Sequence, residues 1–359
     1  MKIKDFYEIS KPLILDGGFA TELETTYGKK FSTNLWSASC LYEDPDAIRE
    51  VHLSYFRAGA DIASTCSYQI PVDTFIKEGF TYQESIELIQ KSVHIAVEAR
   101  DVFWKEYQTN KDHECQTKND NYEIYQTKND NDQEYQTKNE AKNGKDQERM
   151  KPMIALSLGP FGGPLGDYSE YTGNYGNEVN LETLKDFHKK NLNLFKPLLS
   201  LIDFIAFETV PSYLEAESIC SLLKEENLDI PCWISFSCKN EEQISHGELI
   251  IDCVQLCSKI ESIVSIGINC VKPRYIEKLV KIIREGLDQN GYEKKYVICY
   301  PNGEDFDYYN DKNSHEILSK EFEDYTKIWV ELAKSKVIVG GCCKSTPDHI
   351  RCIRNVLKN

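Results

Sequence analysis

The sequence predicts an α/β fold, a (β/α)8 TIM barrel carrying a low-complexity surface insertion, and three observations predict it. Eight short, near-continuous apolar runs alternate with amphipathic stretches, the pattern of parallel strands buried on both faces with helices between them. The turn after the first run, Asp16-Gly17-Gly18-Phe19, is not the GxGxxG phosphate turn that a doubly wound open sheet, the competing architecture, usually carries there. Polar, acidic, glycine and cysteine residues gather just after the apolar runs, at the strand ends where a barrel builds its active site.

In chain order, the strand-like runs are 13–18, 62–67, 153–160, 204–209, 232–238, 265–270, 296–301 and 336–343. Between them, apolar residues recur at helical spacing over 46–59, 73–100, 181–195, 213–226, 247–260, 274–287, 319–335 and 346–358. Asp44-Pro45 and Thr346-Pro347 each place a capping side chain before a proline suited to the first helical turn. The chain therefore reads as a single barrel over 1–359, interrupted by a segment of different character at 106–150. There EYQTN, CQTKND, YQTKND and YQTKNE recur from Tyr107 to Glu140, in a stretch dominated by Asn, Lys, Gln, Asp, Glu and Thr. One tyrosine per repeat is too little to stack a solenoid, so a disordered surface excursion without chemistry is expected.

A net charge of −16 argues against nucleic-acid binding, which needs clustered Lys and Arg. No apolar stretch approaches the roughly 20 residues of a membrane span. MKIKDFYEISK lacks the apolar run of a signal peptide. The thirteen cysteines are odd in number, and many lie inside apolar runs, where free Cys behaves as a small hydrophobe. A reducing, cytoplasmic setting is the resulting expectation, with the chain a monomer or weak homo-oligomer.

Three cysteines stand apart. Cys270 ends the sixth run and Cys342-Cys343 ends the eighth, so both ends would open into one mouth, separated by the seventh strand. Neighbouring strand residues face opposite ways, and Gly340-Gly341 is read as the break that re-aims both sulfurs. Three thiolates would leave one tetrahedral position of a zinc ion open, as catalytic sites do. Taken singly, each cysteine competes with a plain core role, and Cys342-Cys343 also with a vicinal disulfide. Glu208 ends an apolar strand, where a carboxylate inside the core would be expensive. It should face the mouth, to bind an ammonium or act as a base, unless it forms a structural ion pair. Asp16 precedes two glycines whose N–H groups suit a carboxylate, with a simple tight turn the alternative. The seven histidines show no HxH or HExxH metal pattern.

These residues resemble the homocysteine S-methyltransferase family, in particular its branch using sulfonium methyl donors. The likeness spans nearly the whole chain outside 106–150. It is carried by LDGGFATELE (15–24), LWSA (35–38), VHLSYFRAGAD (51–61), TCSYQI (65–70), SEYTGNY (169–175), FIAFETVPSYLEA (204–216), GINC (267–270), YPNGE (300–304) and GGCCKSTPDHI (340–350). SEYTGNY favours the sulfonium branch over betaine- or folate-dependent relatives. Cys66 and Ile70 stand where the family often has alanine. The resemblance implies a barrel with zinc on Cys270, Cys342 and Cys343. It implies that Asp16 and Glu208 receive the homocysteine amino group, and that the backbone at Gly17 and Gly18, with Ser37, receives the carboxylate. Tyr68 would lie near the methyl donor, S-methylmethionine or S-adenosylmethionine, and methionine would be the product. The homocysteine sulfur is expected to take the open zinc position, lose its proton and attack the donor methyl in line. A betaine-dependent methyltransferase and a non-catalytic zinc barrel remain the alternatives.

Overall fold

The computed structural model describes residues 1–29, 36–69, 72–126, 149–305, 315–316 and 319–358. Eight parallel strands form a barrel, namely β1 (Leu13–Ile14), β2 (Ile62–Ser64), β3 (Met153–Leu158), β4 (Phe204–Val210), β5 (Cys232–Phe236), β6 (Ile263–Asn269), β7 (Tyr296–Tyr300) and β8 (Val337–Val339). Each of β2 to β7 pairs in parallel with its successor, and β8 returns to pair with β1. A parallel bridge between Leu15 and Ile62 closes the ring, with Asp16 N–H donating to the Ile62 carbonyl at 3.0 Å.

Every residue of β3 to β7 is buried, which is why these strands read as unbroken apolar runs rather than alternating ones. Alternate residues still divide between two cores. Leu13, Leu15, Phe204, Ala206, Trp233 and Ile298 fill the barrel interior, while Ile14, Ile205 and Val297 pack outward against the helices. The short helix Ile3–Phe6 closes the bottom: Phe6 is fully buried, edge-on to Tyr296 and Phe204 with ring centroids 4.9 and 5.6 Å away.

Helix Tyr82–Gln126 runs for 45 residues and so continues into the 106–150 segment, where the sequence reading expects no order. Lys, Gln and Glu carry little helix penalty, and extending a nucleated helix gains one hydrogen bond per residue fixed. Residues 127–148 lie outside the described residues. The segment leaves and rejoins the barrel at one place: Arg149 N–H donates to Tyr107 Oη at 3.3 Å, and its guanidinium donates to the Phe56 and Ala60 carbonyls at 2.9 and 2.7 Å. Among the described residues, no helix is long and apolar enough to cross a membrane.

Candidate functional site

The mouth at the C-terminal strand ends gathers most of the residues singled out from the sequence. Cys270 lies 2.7 Å from Cys342 and 3.7 Å from Cys343, sulfur to sulfur, and all three sulfurs lie within 4.8 Å of one another. Backbone hydrogen bonds fix them. Cys270 N–H donates to the Tyr300 carbonyl (3.3 Å), Cys342 N–H to the Pro301 carbonyl (2.7 Å), and Gly303 N–H to the Cys343 carbonyl (2.8 Å). Thus β7 serves as the rail between the two cysteine-bearing ends, as the order of the runs implied.

The strand ends at Val339, so the chain breaks at Gly340-Gly341 as expected and both following sulfurs reach the cluster. Neither Gly340 nor Gly341 takes a left-handed φ; the left-handed residues here are Cys270 (φ 50°) and Lys344 (φ 64°). The glycines instead permit close approach. A Cβ on Gly340 would sit 2.7 Å from the Asp16 carbonyl, and one on Gly341 would overlap the Ser345 hydroxyl. Ser345, fully buried, donates from Oγ to the Cys342 carbonyl at 2.7 Å and accepts Gly18 N–H at 2.9 Å. It ties the cysteine turn to the first strand end. The same bond engages the Gly18 amide within the protein. Gly17 is packed against the Tyr55 ring, where a Cβ would come within 2.8 Å.

Asp16 and Glu208 are both buried in this mouth. Asp16 Oδ2 accepts the Ser64 N–H at 2.8 Å, and burial, then the nearby Glu208, push its carboxyl well above the usual range. Glu208 accepts hydrogen bonds from the Ser157 hydroxyl and from Tyr300 Oη, the latter at 3.0 Å. Burial raises its carboxyl too, against those two bonds, with the Cys343 charge adding to the rise. Tyr300 is held in turn by Ser235 Oγ (2.6 Å) and by the Trp233 indole N–H (3.3 Å). The Cys342 thiol is pushed up by its hydrogen bonds with Cys270 and Cys343 and by burial. Three thiols this close resist ionising together unless a cation joins them.

Tyr68 stands at the same mouth, its carbonyl accepting Gly159 N–H at 3.0 Å. Burial, then the Glu170 charge, raise its phenol, with Cys270 and Glu208 adding to the rise and the Thr209 side chain opposing it. Ser37 lies in the 3-10 turn Trp36–Ser39, and its side chain falls outside the described residues.

Several residues here escaped the sequence reading. Glu215 is fully buried on helix Tyr213–Glu226, where its charge reads as ordinary helix surface. It accepts Phe161 N–H (2.6 Å) and Tyr175 Oη (2.7 Å) and pairs with His188 Nε2 (3.0 Å). This hub pins both ends of the loop that carries Ser169–Tyr171 over the mouth. Tyr300 and Ser345 were legible only as members of strand-end motifs; the inward register of Tyr300, opposite Asn269, was the available signal.

Fold and mouth together define a barrel enzyme built around a three-thiol centre flanked by buried carboxyls. The chain belongs to the homocysteine S-methyltransferase family, whose model matches residues 13–357. It is 36% identical to homocysteine S-methyltransferase 3 of Arabidopsis thaliana over 349 residues, covering 96% of this chain and 90% of that one. It is 34% identical to a selenocysteine methyltransferase of Astragalus bisulcatus over 364 residues, covering 99% and 96%. The metallated form of the homocysteine methyltransferase MmuM from Escherichia coli superposes with a TM-score of 0.73 at 28% identity, covering 98% of this chain and 99% of that one. The chain is accordingly a methyltransferase, and its reaction is methyl transfer to homocysteine.

Proposed function

We propose that this enzyme holds zinc on Cys270, Cys342 and Cys343 and transfers a methyl group from a sulfonium donor, S-methylmethionine or S-adenosylmethionine, to the homocysteine sulfur, giving methionine. The observation that carries this reading is the convergence of three sulfurs within 4.8 Å beside two buried carboxyls. The donor set fits the ion. Tetrahedral zinc with Zn–S bonds near 2.3 Å spaces its sulfurs by about 3.8 Å. The Cys270–Cys343 separation of 3.7 Å already matches, and Cys270 and Cys342, at 2.7 Å, need part by only about 1 Å. When bound, zinc supplies a Lewis acid that keeps a ligand thiol ionised at neutral pH, where a free thiol is mostly protonated.

The chain's own residues orient the reactants. Asp16 and Glu208 accept hydrogen bonds from the substrate ammonium, which offsets the burial of their charges. The backbone around Gly17 and Gly18, with Ser37, faces the substrate carboxylate; for the Gly18 amide to serve, Ser345 must release it. With the amino-acid end fixed, the sulfur is directed at the cysteines. Tyr68 lines the donor's side and offers its ring face to a cation. The homocysteine sulfur forms the new S–CH3 bond with its lone pair while the donor's S–CH3 bond breaks, and the donor sulfur leaves as a neutral thioether holding that pair. No further acid is required.

Competition of S-methylmethionine, S-adenosylmethionine and betaine for homocysteine, with purified zinc-loaded enzyme, tests the reading. Turnover with a sulfonium and none with betaine is expected, and loss of turnover on chelation. Betaine-driven turnover, or full activity in zinc-free enzyme, would overturn it.

A further inference from the structure

We propose that Glu170 is the residue that selects the methyl donor by its positive charge, its carboxylate standing beside the bound sulfonium. This inference rests on the sulfonium-donor reading above.

The backbone of Glu170 is fixed over the mouth. It lies in the 3-10 turn Ser169–Tyr171, and its carbonyl accepts Ser237 Oγ (3.0 Å) from the end of β5. Ser237 is itself held by Ser245 Oγ at 2.8 Å. Gly162 lets the turn seat closely, since a Cβ there would come within 2.6 Å of the Glu170 nitrogen. The flanks of the loop, Phe161 and Tyr175, are pinned to the buried Glu215.

The side chain is as informative. Glu170 Oε2 is buried and has no hydrogen-bond partner among the described residues. Gly162, which lies against the Glu170 nitrogen, is followed by Gly163, where a Cβ would lie 3.5 Å from the Tyr68 ring, and the Glu170 carboxyl is near enough to Cys343 for that thiolate to raise it. The next residue, Tyr171, is near enough to Cys270 to act against the rise of its thiol. Glu170 therefore belongs to the face of the mouth shared by Tyr68 and the cysteines. Burial first, then Asp167 and Cys343, push its carboxyl up to about 7. Asp16, Glu208 and Glu170 Oε2 are buried acidic groups gathered at one mouth, an arrangement that favours cationic ligands.

An ammonium is met by directed acceptors, as at Asp16 and Glu208. A sulfonium has no N–H to donate, and its charge is spread over sulfur and the attached carbons. It is satisfied by a nearby carboxylate without a directed hydrogen bond, which is what an unpartnered Oε2 offers. The attraction weakens as the methyl leaves, because the donor becomes a neutral thioether. Glu170 thus favours the bound donor at least as strongly as the transition state, so its loss should raise the donor KM without lowering kcat.

The test is steady-state kinetics of zinc-loaded E170Q and E170D with homocysteine and S-methylmethionine, each variant first checked for wild-type thermal unfolding. Removing one charge at contact distance should raise the donor KM about tenfold or more in E170Q. E170D should be intermediate, with kcat not lowered and the homocysteine KM within about twofold of wild type in both variants. An unchanged donor KM in E170Q, or an equal rise in the homocysteine KM, would overturn the role of Glu170 while leaving the donor reading intact. Wild-type enzyme inert with both sulfonium donors would overturn the donor reading and this proposal with it.

Discussion

Asn269 and Thr209 clamp each other across the barrel mouth: Thr209 N–H donates to Asn269 Oδ1 at 2.8 Å, and Asn269 Nδ2 donates to Thr209 Oγ1 at 2.7 Å. Thr209 follows Glu208 and holds a left-handed φ of 62°; Cys270 follows Asn269 and holds one of 50°. Such conformations cost about 1–3 kcal/mol each and persist where surroundings enforce them. The clamp enforces the one at Thr209 and couples the carboxylate on β4 to the thiol on β6.

Replacing Asn269 by Ala strands the buried Thr209 N–H and should destabilise the fold by roughly 1–3 kcal/mol. Because the clamp orients groups in the mouth, zinc affinity is expected to fall about tenfold or more. Thermal unfolding and zinc titration check both; wild-type zinc affinity would show that the clamp does not serve the cysteines.

The second expected outcome concerns pH. Asp16 and Glu208 titrate higher in the folded chain than unfolded. Their contribution to stability is therefore fully present below the ordinary carboxylate value of about 4 and is lost as pH rises through the raised folded values. Affinity for an ammonium ligand runs the opposite way, strengthening as these carboxyls ionise. Calorimetry of 2-aminobutyrate, which has no thiol, should show affinity rising as pH climbs through the raised values of these carboxyls. E208Q should bind more weakly and flatten that rise, and a pH-independent affinity in wild type would contradict the assignment.

Gly341→Ala would drive a methyl group into Ser345 Oγ, which bridges Gly18 and the Cys342 carbonyl. The expected cost is roughly 1–3 kcal/mol, with weakened zinc binding. Trimming the clash in G341A/S345A should recover part of that loss, so that the double variant is less destabilised than the two single losses added together. Simple additivity in denaturant unfolding would mean that the two residues do not meet.

The barrel was legible because both faces of its strands are buried, which leaves apolar runs that need no partner to be recognised. Cys270, Cys342, Cys343, Asp16 and Glu208 were legible because polar groups ending such runs have only the mouth to face. The Asn269–Thr209 clamp was not, since it joins positions 60 residues apart and depends on an unusual φ. Glu215 looks like a solvated helix charge until the loop carrying Phe161 and Tyr175 is seen to fold over it. The break at Gly340-Gly341 was legible, but the close approach to Asp16 and Ser345 was not, because a glycine's need for room depends on neighbours that only the fold supplies. The reach of helix Tyr82–Gln126 into the repeats was missed because composition alone does not register the helix already nucleated before them.

The most direct measurement is the zinc content and homocysteine methylation of Cys342→Ser. Loss of one of three thiolates from the cluster should leave bound zinc well below one per chain and abolish methyl transfer, with the fold retained by circular dichroism. A folded C342S enzyme with full zinc and full activity would contradict the assignment of the three cysteines.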